Sequence, residues 1–164
     1  MDFNQYKNQI IDSLKYNFDI SEGCNYGGVL FDTVAKSHIR NEKYVASKKA
    51  VIYAFENDEQ CLIKELNNTN KNQIDHIIEV TKDNIIDNIQ LSEDHMSTTI
   101  TLILVSEKSI DEQIVKHIKR FKYQKSFMFG LKGWITFRAV LIDLENERVI
   151  CSKEAKKVGK FYQP

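Results

Sequence analysis

The hydrophobic positions of this chain fall into blocks of two different periods. Phe3, Tyr6, Ile10, Ile11, Leu14 and Phe18 recur at steps of three and four, which predicts an amphipathic helix over 3–18 with Asp2 as its N-cap. After the glycines at 23, 27 and 28 the period changes to two. Val29, Phe31, Ala35 and Ile39 alternate with Asp32, Lys36, His38 and Arg40, the pattern of a strand with one wetted face. Asn41-Glu42-Lys43 reads as a turn, Tyr44–Glu56 as a second strand, Asn57-Asp58-Glu59 as another turn and Gln60–Leu66 as a third strand. A long helix from about 70 to 90, capped by Thr69 or a neighbouring Asn, carries Ile74, Ile77, Ile78, Ile85 and Ile89 on one stripe.

Thr98–Val105 differs from every other block. It is β-branched and apolar in both registers, which predicts a strand buried on both faces near the middle of a sheet. Ser109 and Glu112 have capping-box spacing and open a third helix through Ile110, Ile114, Val115, Ile118 and Phe121. Tyr123–Phe129 alternates, Gly130–Gly133 connects, and Trp134–Leu144 is a long strand. Glu145-Asn146-Glu147-Arg148 turns it into Val149–Ser152, and the basic stretch 153–164 is expected to be only partly ordered. The order is α-β-β-β-α-β-α-β-β-β. It describes one α+β domain over 1–164, a mixed sheet of six to seven strands with three helices. The step from the third strand through the long helix to the central strand fits a parallel crossover.

Composition changes this picture little. With 164 residues and 42% hydrophobic content the chain can bury a full core without metals or disulfides. Cys24, Cys61 and Cys151 are odd in number and form no CxxC, which fits reduced thiols. The start Met1-Asp2-Phe3-Asn4 lacks the pattern of a secretory signal. The longest apolar run, Ala50–Phe55, is far below the ~20 residues a bilayer requires. A cytoplasmic protein without membrane attachment is the expectation. Charge is more telling: residues 41–95 hold 11 acidic and 6 basic side chains, whereas residues 96–164 hold 7 acidic and 13 basic ones.

Candidate chemistry is sparse. Over residues 3–106 the element order resembles the core of restriction-endonuclease-like nucleases. That resemblance implies an acidic residue on the second core strand and an Asp/Glu-x-Lys triplet on the third, for Mg²⁺ binding. The second strand offers only Glu56, and Gln60-Cys61-Leu62-Ile63-Lys64-Glu65 has no acidic residue two before Lys64. Gly23–Gly28 is Gly-rich but precedes a strand, so it predicts a turn, not a phosphate loop. His38, His76, His95 and His117 are scattered, and Glu93-Asp94-His95 is the one tight carboxylate–imidazole cluster and the candidate ligand site. No catalytic residue, metal site or cofactor is predicted.

Two surfaces stand out. Lys119, Arg120, Lys122, Tyr123, Lys125, Lys132 and Trp134 mix cations with aromatics, a combination that suits single-stranded nucleic acid. The shared parity of Phe121, Tyr123, Phe127 and Phe129 speaks instead for a core face, so nucleic acid is not the favoured partner. Asp75, Glu79, Asp83 and Asp87 form a ridge opposite the isoleucine stripe. Like charges at i,i+4 cost a few tenths of a kcal/mol each, so the ridge is either solvated or docked on something positive. The chain's own basic third, within one molecule or across a homodimer, is the nearest candidate.

The run Phe31-Asp32-Thr33-Val34-Ala35, Arg40–Tyr44 and Tyr53–Asn57, with Glu93–Ser97 and Phe121–Trp134, resembles a family of small uncharacterised bacterial proteins along nearly the whole chain. The resemblance implies a domain of unknown function and carries over no catalytic residues. The reading is therefore a binding or protein-interaction module without catalysis. The alternative is a protein that binds or processes nucleic acid on a nuclease-like scaffold.

Overall fold

In the computed structural model, which describes residues 1–44, 51–88, 95–130 and 133–164, the elements in chain order are α1 (Phe3–Leu14), β1 (Asp19–Tyr26), β2 (Val29–Tyr44), β3 (Val51–Glu65), α2 (Lys71–Asn88), β4 (His95–Ser106), α3 (Glu112–Arg120), β5 (Tyr123–Ser126), β6 (Trp134–Asp143) and β7 (Arg148–Cys151). Thr98–Val105 lies within β4, between two parallel neighbours, β3 and β6. Leu102 and Ile103 point to opposite faces and both are fully buried, as a two-sided apolar strand requires. The sheet is mixed and seven-stranded, in the order β1-β2-β3-β4-β6-β5. β7 shares the β5 edge of β6, pairing with Val140–Asp143 while β5 pairs with Trp134–Phe137. The fold is the single α+β domain that the periodicities predict, in the predicted element order.

Two cores sandwich this sheet. On one face α2 and α3 pack Ile74, Ile78, Ile85, Ile114 and Ile118 against Leu62, Ile100, Leu102 and Phe137. On the other, α1 lays Phe3, Tyr6, Ile10 and Leu14 over Ala35, Cys61, Ile63, Ile103 and Val140. Burying side chains of this size stabilises by roughly 1.5–3 kcal/mol each.

Several boundaries differ from the sequence reading, for local reasons. α1 ends at Leu14, not Phe18; Asp2 and Gln5 form its capping box. The cap of α2 falls as predicted on an Asn beside Thr69, Asn70, whose side chain accepts from the Gln73 N–H at 2.8 Å. α3 is capped by Asp111, which accepts from Gln113 N–H at 2.6 Å, and not by Ser109. The Ser109 N–H is taken by Glu145 and that of Ile110 by Asp143, so those two residues stay outside the helix.

In the N-terminal half there are three strands, but differently cut. Asp19–Tyr26 is itself a strand, while Asn41-Glu42-Lys43 and Asn57-Asp58-Glu59 lie inside β2 and β3. Both triplets are held extended by the β2–β3 ladder, and polar side chains beside them pair across it: His38 with Asp58 and Arg40 with Glu56, each at 2.6 Å. The turn between β1 and β2 falls at Gly27-Gly28, both at positive φ, the geometry that matches the twist of a two-residue hairpin. Gly27 also abuts α2, where a Cβ would come within 2.7 Å of Val80 Cγ1. β5 stops at Ser126, because Met128 and Phe129 take left-handed φ of 46° and 56°. Residues 153–164, expected to be only partly ordered, fold as two 3₁₀ turns that bury Ala155 and Tyr162, and the Tyr6 hydroxyl donates to the Tyr162 carbonyl at 2.9 Å.

Candidate interaction surface

The helices leave part of the sheet bare. On the α1 face, the strand positions from Cys61, Thr101 and Val140 onward are buried under α1 and the C-terminal turns. Towards the other end of the strands the same face presents Ser37, Asn57, Glu59, Ser97, Thr99, Thr136, Arg138 and Trp134, all half-buried or exposed. A polar row of this kind offers a helix nothing to pack on, which is why it stays open. Its side chains bond to one another: the Ser97 hydroxyl donates to Asn57 Oδ1 at 2.6 Å, and Arg138 donates to Glu59 at 3.4 Å.

β5 extends this open face to the sheet's end. Gln124 and Ser126 stand across from Thr136 and Trp134. With Lys122, Tyr123 and Trp134 they line a groove of about 580 Å³. The Trp134 indole is 39% exposed there. Among the described residues, no strand pairs with the outer edge of β5.

The basic–aromatic segment is therefore both core and surface. Phe121, Tyr123 and Phe127 pack against the helical core, Phe121 edge-on to Phe137 at 5.7 Å between centroids. Lys82 sits over the Tyr123 ring and Lys125 over that of Phe127, at 5.3 and 5.4 Å. Phe129 shares their parity in sequence but not in space. The left-handed residues at 128 and 129 break the alternation and leave its ring fully exposed. Lys119, Arg120, Lys122 and Lys125 are exposed; Lys132 lies outside the described residues.

The acidic ridge is less free than its spacing predicts. Asp75 is half-buried and accepts from Lys71 and His117, at 2.6 and 2.5 Å, so it ties α2 to α3. Burial pushes its pKa up, but the hydrogen bonds from Lys71 and His117 outweigh burial and hold it below the usual carboxylate range. Glu79 pairs with Lys82, and Asp83 lies 3.9 Å from the same ammonium. Glu79, Asp83 and Asp87 are exposed. Only these three form an outward ridge; Asp75 belongs to the join with α3.

Among the described residues, the remaining candidates do not assemble into a site. Glu93 and Asp94 lie outside the described residues, and His95 opens β4 opposite Glu56. Glu56 and Glu65 stand nine residues apart on one strand, about 30 Å at the rise of a β-strand. Glu56 is held by Arg40, Lys64 donates to the Leu30 carbonyl, and the Glu65 N–H donates to Asp32. Gly23–Gly28 ends in the hairpin turn, and Asn25 accepts from the Gly28 N–H. Among the described residues, no three His, Cys, Asp or Glu side chains are grouped to hold a metal ion, and no helix is long and apolar enough to cross a membrane.

The sequence reading missed two arrangements. The His38–Asp58 pair joins residues 20 positions apart and needs the β2–β3 register to be seen. Asp143, fully buried at the end of β6, accepts from Arg148, Asn146 and the Ile110 N–H; these bonds overcome its burial and hold it below the usual carboxylate range. The sequence signal for this lock is only an Asp followed by Asn and Arg three and five residues on.

The model of a domain family of unknown function, DUF8052, matches residues 2–164. No curated protein and no solved structure matches the chain.

Proposed function

The chain belongs to the DUF8052 family, a domain of unknown function, and we propose that it is a non-catalytic binding module that docks an extended, acidic segment of a partner protein on the outer edge of β5. The observation that carries this reading is the exposed Trp134 indole in a groove beside a four-residue edge strand. An edge strand offers unpaired N–H and C=O groups, and an added strand gains main-chain hydrogen bonds while side-chain pockets supply selectivity. The groove receives one side chain against the indole. Lys122 and Lys125, with Lys119 and Arg120 on the preceding helix, favour carboxylates. The free thiols Cys24, Cys61 and Cys151 accord with a bacterial cytoplasm as the working compartment.

Trp134 is the chain's single tryptophan, so its emission reports on the groove directly. Titration with an acidic peptide of β-branched and Asp/Glu residues is expected to give a saturable shift in emission. Lys122→Glu with Lys125→Glu is expected to weaken it at least tenfold. No response to acidic or neutral peptides sinks the reading.

A second reading, single-stranded nucleic acid, is favoured by Phe129 and Trp134 standing exposed near four cations. Glu79 and Asp83 weigh against it, since both lie close enough to push the Tyr123 hydroxyl's pKa up, behind burial as the main cause. Carboxylates beside the path of a phosphate backbone oppose its approach. Saturable binding of oligo-dT, with a steep inverse dependence on salt, would put this reading first.

A further inference from the structure

A second cavity, away from the β5 edge, has the make-up of a small-molecule site. It measures about 330 Å³ and is lined by Leu14 and Phe18 from α1 and the loop after it, Glu59 and Cys61 from β3, and Lys157, Val158, Phe161 and Tyr162 from the C-terminal turns. Its size is at the small end of cavities that enclose small ligands, too tight for a polypeptide segment. Leu14, Phe18, Val158 and Phe161 make its walls apolar.

The inner end is different. Cys61 is 1% exposed and Tyr162 4% exposed, and their Sγ and Oη lie 3.8 Å apart, a weak contact for both. Thr101 stands opposite Cys61 in the β3–β4 register, and its buried hydroxyl makes no hydrogen bond. Burial pushes the Cys61 thiol up to about 11 and the Tyr162 hydroxyl well above its ordinary value, so both keep their protons at neutral pH. Three neutral groups, each able to donate or accept, thus gather at one place and meet one another only through weak contacts. Buried polar groups satisfied this weakly gain free energy when a stronger acceptor arrives.

We propose that this cavity binds a small, largely apolar molecule bearing a neutral carbonyl, with the carbonyl oxygen directed at Tyr162 and Cys61. The apolar body lies along Leu14, Phe18, Val158 and Phe161, and covers the Phe161 ring, which is 46% exposed without it. A carboxylate head fits less well. It would lose its hydration among apolar walls and face the half-buried Glu59, whereas the one lining cation, Lys157, is exposed to solvent. Half the lining belongs to the C-terminal turns, so a bound molecule also clamps them onto α1. This site is independent of the β5 edge, and Trp134 does not line it.

The test uses the full chain, ¹⁵N-labelled, and three probes of one shape: acetophenone, α-methylstyrene, in which a CH₂ replaces the oxygen, and benzoate. Acetophenone is expected to shift the amide signals of residues 59–62 and 157–162 saturably. α-Methylstyrene is expected to bind about fivefold more weakly, the worth of one net hydrogen bond, and benzoate more weakly still. Tyr162→Phe should bring acetophenone and α-methylstyrene to near-equal affinity. Should that variant fail to fold, Val158→Trp, which fills the cavity from a half-buried position, should abolish the shifts of both. Equal affinities in the parent chain, tighter binding of benzoate, shifts that persist in Val158→Trp, or no response to any probe would overturn the proposal.

Discussion

Asp75 of α2 and His117 of α3 meet at 2.5 Å, and this contact joins the acidic and basic parts of the chain inside one molecule. The folded pKa of Asp75 lies below its ordinary value of 3.8, so the contact's contribution is fully present above that value. It is lost as pH falls through the lower folded value. Asp75→Asn is expected to destabilise the protein at pH 7 by well under 1 kcal/mol, because the carboxylate is about one-third exposed. Urea denaturation should show the gap between parent and variant closing below pH 4. A gap that is constant from pH 7 to pH 3 refutes the assignment.

The two faces of β4 can be probed separately. Leu102→Ala opens a cavity under α2 and α3, and Ile103→Ala one under α1. Each is expected to cost about 2–5 kcal/mol, since both side chains are fully buried. A loss below about 1 kcal/mol at either position, measured by chemical denaturation, contradicts a strand packed on both sides.

Gly27→Ala combines two penalties. The residue sits at φ +57°, and the new methyl would fall 2.7 Å from Val80 Cγ1. A destabilisation of about 1–3 kcal/mol is expected. Adding Val80→Ala should restore the steric part and leave the backbone part. Simple additivity of the two substitutions would show that the contact plays no role.

The outward ridge is a candidate contact between copies, since exposed Lys116, Lys119 and Arg120 on neighbouring α3 give one face bands of both signs. Self-association at low salt is expected, fading as salt rises because exposed pairs contribute roughly 0–1 kcal/mol each. Glu79→Lys with Asp83→Lys should keep the monomer fold and weaken that association in sedimentation velocity. A parent chain that is monomeric at every salt concentration leaves the ridge as a solvated face.

The geometry also excludes one chemistry. With Glu56 bound to Arg40 and separated from Lys64 and Glu65 by most of β3, those three cannot converge on Mg²⁺. Incubation with DNA or RNA and Mg²⁺ is expected to give no cleavage that depends on Glu56. Nuclease activity lost on Glu56→Ala would reverse this conclusion.

The parts legible in sequence were those in which one residue's environment repeats along the chain. β4 announced itself because both registers are apolar, and α2 because isoleucine returns every three or four residues. The extent of β2 and β3 is hidden because Asn41–Lys43 and Asn57–Glu59 have turn composition; what holds them extended is pairing across strands, which no local window contains. The C-terminal turns hid Ala155, Val158, Phe161 and Tyr162 among lysines. The Trp134 groove depends on strand order and on two left-handed residues, Met128 and Phe129, neither of a type that favours that conformation. The cavity at Cys61 and Tyr162 is assembled from residues 101 positions apart.

The hydroxyl of Tyr6 donating to the carbonyl of Tyr162 spans 156 positions of chain. During synthesis α1 leaves the ribosome before the C-terminal turns do, and this bond cannot form until residue 162 has emerged. Closing so long a loop is entropically costly, and contacts of this range slow folding. A nascent chain stalled before residue 155 would therefore carry the apolar stripe of α1 only partly covered, open to chaperones and proteases, and protection of Tyr6 would report the docking of residues 153–164.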